Sequence, residues 1–257
     1  MTESQQSPTS RAVLVTGASR GIGRAIALAF AARGDRVAVH FGGSRTRAEA
    51  VLAELPGEGH VLVQADLADA EAVGAMVDEA AGGLGGLDVL VNNAGVFTAH
   101  PPLETDYADW QAAWQQTLAV NLLGPANATF RALPHLIAAG GGAVVNVSSR
   151  GAFRGEPNNP AYGASKAGLN AFGQSMALAL APHGISVGTV APGFVQTEMA
   201  REVLDGPGGD AVRAQSPYGR VARPEEVASA VLWLASPEAR FSTGTIIDVN
   251  GASYLRS

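Results

Sequence analysis

Short apolar runs alternate along the chain with segments whose apolar positions recur every three to four residues. Ala12–Val15, Arg36–Phe41, His60–Gln64, Leu87–Val91 and Ala143–Val147 are strand-length runs with almost no polar interruption. Runs of that kind mark strands covered on both faces. Between them, Arg24–Arg33, the stretch through Glu49 to Leu55, Ala70–Ala81, Leu103–Gly124, Phe130–Ala139 and Ala161–Leu180 predict helices. Strand and helix follow each other without a break, which predicts an α/β fold. The expected form is a doubly wound parallel sheet flanked by helices, with ligands at the carboxyl ends of its strands. No linker or composition shift divides the chain, so one domain is expected over residues 11–257, behind a loose polar tail at 1–10.

Composition narrows the picture. Of 257 residues, 47% are hydrophobic and 16% charged, which suits a well-buried globule rather than a disordered chain. A net charge of −6 disfavours nonspecific binding to nucleic acid or an anionic membrane. With no cysteine there is no disulfide framework or thiolate zinc site. The five histidines, His40, His60, His100, His135 and His183, lack metal-ligand spacing and read as surface or loop residues, so no metal is expected. Met1–Ser10 has no apolar stretch of the kind a secretion signal needs, and runs such as Ala25–Ala32 are far too short to span a membrane. A soluble cytoplasmic protein is the expectation.

The first strand ends in Thr16-Gly17-Ala18-Ser19-Arg20-Gly21-Ile22-Gly23 and a helix follows. Strand, glycine loop and helix start together favour a phosphate, because the backbone approaches closely and the first helical N–H groups are free. After the second strand a NAD site usually places a carboxylate for the ribose hydroxyls. Here Val37–Arg47 holds no Asp or Glu but does hold Ser44, Arg45 and Arg47, with Arg20 in the loop. Arginine grips a 2′-phosphate by paired hydrogen bonds, so NADP(H) is expected ahead of NAD(H). The alternative is that Arg45 and Arg47 merely begin a solvated helix. Asp66-Leu67 stands after the third strand, where Asp66 either meets an adenine amino group or, like Asp69, caps the next helix. Asn92-Asn93-Ala94-Gly95 follows the fourth strand, its small residues allowing a cofactor near the backbone.

The candidate chemistry centres on Ser148-Ser149 and on Tyr162-Gly163-Ala164-Ser165-Lys166. On a helix, Tyr162 and Lys166 share one face. A tyrosine is a poor acid or base at neutral pH, and a neighbouring ammonium is expected to lower its pKa into a useful range. Tyr-x-x-x-Lys alone is a weak signal. Lys166 is, however, the only lysine in the chain, the other sixteen basic residues being arginine. A compact, pKa-adjustable ammonium is what a guanidinium cannot replace.

From Val13 to Gly251 the sequence resembles the short-chain dehydrogenase/reductase family. The residues that carry the resemblance are Thr16–Gly23, Asp66, Asn92–Gly95, Asn121, Ser149, Tyr162, Lys166 and Pro192-Gly193-Phe194-Val195-Gln196-Thr197. The resemblance implies a Rossmann-type fold and an oxidoreductase. It gives Tyr162 as proton donor to a carbonyl and Ser149 as hydrogen-bond partner of that oxygen. Lys166 would hold the nicotinamide ribose and lower the Tyr162 pKa, with Asn121 supporting it through water. Gly17, Ser19, Arg20, Gly21, Ile22, Gly23, Ser44, Arg45, Asp66, Leu67, Asn93, Ala94, Gly95, Tyr162, Lys166, Pro192, Gly193, Val195 and Thr197 are the implied cofactor-binding set. Three places depart from the family pattern: Gly188, where an asparagine is frequent, a longer segment between Gly95 and Asn121, and Asn250-Gly251 in place of a double glycine.

The Gly- and Pro-rich segment at about 196–223 is the expected substrate loop. Phe97, Arg150, Phe153, Asn159, Phe194 and Met199, with Arg154, are the candidate pocket residues. The likeness is close to the 3-oxoacyl-carrier-protein reductases. Ala138–Gly142 and His183, however, lack the basic residues expected for docking an acidic carrier, so a reductase of free ketones or aldehydes is preferred and the carrier-bound substrate is the runner-up. A dinucleotide-binding regulator without chemistry is the rival from another class. A homotetramer or homodimer is expected by analogy, joined through Leu103–Gly124 and Ala161–Leu180.

Overall fold

The computed structural model describes residues 10–256, apart from the side chains of Met199 and Glu202, so all of the expected tail at 1–10 but Ser10 lies outside the described residues. Seven parallel strands form one sheet in the order β3-β2-β1-β4-β5-β6-β7. They are β1 (Ala12–Val15), β2 (Arg36–Phe41), β3 (Val61–Gln64), β4 (Val89–Asn92), β5 (Gly142–Val147), β6 (Ile185–Pro192) and β7 (Ile246–Val249). Their order reverses between β1 and β4, and the crevice at that switch point is where such sheets bind ligands.

The two-residue period of a strand explains the two cores. Val13 and Val15 face one layer with Ile26 and Phe30 of α1 (Gly21–Ala31), Val51 of α2 (Arg45–Glu54) and Val227 and Val231 of α10 (Pro224–Leu234). Ala12 and Leu14 face the other, with Met76 and Val77 of α3 (Ala70–Leu84), Ala128 and Leu136 of α5 (Gly124–Ala138) and Leu180 of α7 (Pro160–Leu180). Both faces of the sheet are covered, which is why its strands read as unbroken apolar runs. Gly188 of β6 belongs to this packing: a Cβ there would come within 2.8 Å of the Leu234 side chain. Among the described residues no helix is long and apolar enough to cross a membrane.

Three expectations need correction. The helix placed over Leu103–Gly124 begins instead as α4 (Tyr107–Leu118), because Asp106 caps it by accepting from Asp109 N at 2.9 Å. It does not stop at Gly124 but passes through a π-helical turn, Ala119–Leu123, into α5. Gly124 is a close approach rather than a break, since a Cβ would press on Leu67 O at 2.9 Å. The segment at 196–223 carries two short helices, α8 (Glu198–Asp205) and α9 (Gly209–Ala214). Finally, His40 is a buried strand residue, neither surface nor loop, and His100, though in a loop, is buried as well. His100 Nε2 accepts from Ala161 N at 3.1 Å and so anchors the start of α7.

Candidate active site

The glycine loop is shaped from below by His40. Gly17, at φ 64°, donates its N–H to His40 Nδ1 at 3.0 Å, and His40 Nε2 lies 3.1 Å from Ala65 O. One nitrogen must accept and the other donate, so the ring is held neutral, and burial lowers its pKa in the same sense. From the other side Asn93 Nδ2 donates to Thr16 O at 2.8 Å and to Gly17 O at 3.2 Å. A Cβ on Gly23 would overlap Gly17 O and stand 2.9 Å from Gly17 C, so only glycine lets α1 begin against the loop.

Beyond the loop, Ser44, Arg47 and Arg20 reach the cleft wall. Arg45 does not: its guanidinium lies 5.4 Å from the Phe41 ring centre and 3.8 Å from Glu49. Arg47 Nη1 instead donates to Glu198 Oε2 at 3.0 Å, and Arg20 Nη1 lies 3.6 Å from the same oxygen. The Asp66 and Asp69 alternatives also separate. Asp69 caps α3 through Glu71 N and Ala72 N at 2.9 and 3.1 Å, whereas Asp66 accepts from Ala68 N at 2.9 Å and stays on the cleft wall beside Leu67.

At the other end of the same cleft, of about 740 Å³, β5 delivers Ser149 and α7 delivers Tyr162 and Lys166. Ser149 Oγ accepts from Gly151 N at 3.0 Å. Lys166 Nζ donates to Val147 O at 2.8 Å and lies 5.8 Å from the Tyr162 ring centre. Phe97 meets that ring edge-on at 4.7 Å. Asn121, wholly buried in the π-helical turn, accepts from Val96 N at 2.8 Å and donates to Val96 O at 3.0 Å and Ser165 Oγ at 3.2 Å. Its amide therefore braces the strand exit at Val96 and stands behind the cleft wall. Gly95 separates it from the ammonium: a Cβ there would stand 3.3 Å from Asn121 Oδ1 and 3.5 Å from Lys166 Nζ.

The electrostatics of this end correct the sequence reading. Tyr162 was expected to have a lowered pKa, but burial pushes it up to about 12, with the Glu156 charge adding to the rise and the Ser149 hydroxyl opposing it. Burial likewise brings Lys166 down to about 8. Desolvation penalises phenolate and ammonium alike, and it is the largest cause of both shifts.

Residues 17–252 match a family profile described as Enoyl-(Acyl carrier protein) reductase. The chain belongs to the short-chain dehydrogenase/reductase family. Among relatives in this family, a 3-oxoacyl-(acyl-carrier-protein) reductase of Staphylococcus aureus is 38% identical over 96% of this chain and 99% of that protein. A cis-4-hydroxycyclohexanecarboxylate dehydrogenase of Sinomonas cyclohexanicum is 41% identical over 94% of this chain and 95% of its own length. The solved structure of a short chain dehydrogenase from Burkholderia cenocepacia J2315 in complex with NADP has a TM-score of 0.86. It is 38% identical, with 95% of this chain and 97% of that one covered.

Of the residues singled out in the sequence of this family member, Gly17, Ser19, Arg20, Gly21, Ile22, Gly23, Ser44, Asp66, Leu67, Asn93, Ala94, Gly95, Pro192, Gly193, Val195 and Thr197 line the cleft together with Ser149, Tyr162 and Lys166. Phe97, Arg150 and Phe194 line it as well. Phe153 does not: it lies under the Arg256 guanidinium at 4.5 Å, and its carbonyl accepts from Tyr254 OH at 3.4 Å. Asn159 is buried at the start of α7, accepting from Tyr162 N at 2.9 Å through its carbonyl, and Arg154 donates to Gln215 at 3.3 Å. The Met199 side chain lies outside those described.

Sequence reasoning missed His40, Gln116, Glu156 and Glu198, all on the cleft wall. For Glu156 a signal existed, because it is the only acidic residue between Asp109 and Glu198. For the others nothing in their spacing distinguishes them from surface or core positions.

Proposed function

We propose that this enzyme reduces the carbonyl of a small ketone or aldehyde to an alcohol, or runs the reverse, with NADP(H). The observation that carries the reading is the meeting of Ser149, Tyr162 and Lys166 at one end of a cleft whose other end is a glycine loop beside arginines. The residues present fit a phosphorylated dinucleotide. Glycines clear the backbone at 17, 21, 23 and 95, and the end of β2 offers Ser44 and Arg47 with no carboxylate between Val37 and Arg47. Gly17 to Gly23 would hold the pyrophosphate, Asp66 and Leu67 the adenine, and Asn93 to Gly95 with Pro192 to Thr197 the nicotinamide end. When bound, the nicotinamide supplies or takes the hydride.

The chain's own part is acid catalysis and positioning. Tyr162, kept protonated by its burial, gives its proton to the carbonyl oxygen, and Ser149 holds that oxygen by a hydrogen bond. Lys166 stabilises the phenolate left behind, because an ammonium beside it offsets the loss of solvent. Asn121 acts at one remove by fixing Val96 and Ser165. The exposed apolar side chains of the α4–α5 unit, Leu123, Phe130 and Ile137, support self-association as a dimer or tetramer.

A second reading, reduction of a 3-oxoacyl group on a carrier protein, is favoured by the likeness to the Staphylococcus aureus reductase. Rates of NADPH and NADH oxidation against small ketones, aldehydes and a 3-oxoacyl thioester, free and carrier-bound, separate the two. Turnover of free carbonyls with NADPH at the higher kcat/KM supports the first. A carrier protein that raises kcat/KM far above that of the small thioester establishes the second. A folded protein that binds NADPH and turns over nothing in the panel would be the regulator instead.

A further inference from the structure

Glu156 stands on the cleft wall with Ser149 and Tyr162, and nothing in the reaction described so far uses it. The fold goes to some length to put it there. Gly155, at φ 77°, sends the chain back after the short helix α6 (Gly151–Arg154), a conformation side-chain-bearing residues rarely adopt. The Glu156 side chain then fills the space left by Gly151: a Cβ there would stand 2.8 Å from Glu156 Cγ and 3.0 Å from its Cδ, and would overlap Oε1. Gly151 is the residue whose N–H holds Ser149 Oγ at 3.0 Å, so carboxyl and serine hydroxyl flank one glycine.

Among the described residues none donates a hydrogen bond to the carboxyl. The two nearby arginines are engaged elsewhere, Arg150 Nη1 with Ser253 Oγ at 2.7 Å and Arg154 Nη1 with Gln215 Oε1 at 3.3 Å. They act on Glu156 only through their charge, while burial pushes its pKa up. A half-buried carboxylate without a protein donor keeps its oxygens for water or for a donor that enters the cleft. The Arg150 and Arg154 charges that act on Glu156 oppose an ammonium group, and Glu156 itself opposes a carboxylate. A neutral hydroxyl satisfies both conditions.

We infer that Glu156 determines specificity by accepting a hydrogen bond from a hydroxyl on the substrate carbon next to the reacting carbonyl, so that the preferred substrate is a neutral hydroxyketone. In the reduction the carbonyl carbon gains a hydride from NADPH and its oxygen gains the Tyr162 proton. The product is a vicinal diol, NADP is left oxidised, and Tyr162 is reprotonated from solvent. The hydroxyl held by Glu156 keeps all its bonds. This inference rests on the carbonyl-reductase reading and names its substrate class.

The test compares 3-hydroxy-2-butanone with 3-methyl-2-butanone, which differ by a hydroxyl in place of a methyl, in the wild type and in Glu156→Gln and Glu156→Met. The wild type is expected to favour the hydroxyketone in kcat/KM. Glu156→Met is expected to reduce that preference about tenfold or more through KM, the size of one hydrogen bond to a charged group. Glu156→Gln keeps an acceptor and is expected to retain part of the preference. If Glu156→Met turns over 3-methyl-2-butanone normally and leaves the ratio of the two substrates unmoved, this inference fails alone. If the wild type reduces neither ketone while still binding NADPH, the carbonyl-reductase reading falls and takes the inference with it.

Discussion

Lys166 Nζ donates to the carbonyl of Val147 at 2.8 Å, and so ties helix α7 to the last residue of the strand that presents Ser149. Tyr162 and Ser149 are held in register by the side chain that sits beside the Tyr162 ring. Lys166→Ala is therefore expected to do two things. Turnover should fall by about 10²–10⁴, as for loss of a group essential to proton transfer. Stability should fall by about 1–3 kcal/mol, because a buried carbonyl loses its donor. Steady-state kinetics and urea denaturation measure the two separately.

The opposed pKa shifts of Tyr162, up to about 12, and Lys166, down to about 8, give stability a distinct pH profile. Between about pH 8 and 10.5 the unfolded lysine holds a proton the folded one has released, so its contribution rises with pH. Between about pH 10 and 12 the folded tyrosine holds a proton the unfolded one has lost, so its contribution falls. Each shift corresponds to roughly 3 kcal/mol. Chemical denaturation across this range should show the upper decline shrink in Tyr162→Phe, since phenylalanine does not titrate.

Glu198 bridges Arg47 and Arg20 from the start of α8, on the cleft wall. A 2′-phosphate would compete with that carboxylate for the same guanidinium groups. Arg47→Ala is expected to raise KM for NADPH about tenfold and to leave KM for NADH nearly unchanged. Glu198→Gln is expected to lower KM for NADPH alone. Parallel titrations with the two cofactors check both.

His40 supports the glycine loop without discriminating between dinucleotides, because its two hydrogen bonds go to Gly17 N and Ala65 O. His40→Ala should weaken binding of NADPH and NADH by similar factors, in contrast to Arg47→Ala. It should also cost about 1–3 kcal/mol of stability from a buried donor and acceptor left unpaired. Intrinsic fluorescence on cofactor addition and thermal denaturation report on each.

The strands, the glycine loop and the Tyr162–Lys166 pair were legible in the sequence because each follows from local periodicity. What local pattern cannot carry is which side of an element faces the cleft. Arg45 and Arg47 are two residues apart at the start of one helix, and only the packing of α2 against β2 turns Arg47 inward while Arg45 covers Phe41. Gly124 reads as a helix stop, yet its reason lies at Leu67, 57 residues away, where a side chain would not fit. The direction of the Tyr162 shift was misread for the same reason. Proximity of Lys166 follows from spacing, whereas the depth of burial that raises the Tyr162 pKa is set by the whole fold.

NADPH oxidation by Tyr162→Phe, measured with the best carbonyl substrate of the wild type and alongside NADPH binding, bears most directly on the proposed chemistry. The expected result is unchanged NADPH binding with turnover reduced by about 10³, the contribution of a positioned general acid. Turnover close to that of the wild type would contradict the assignment of Tyr162 as proton donor.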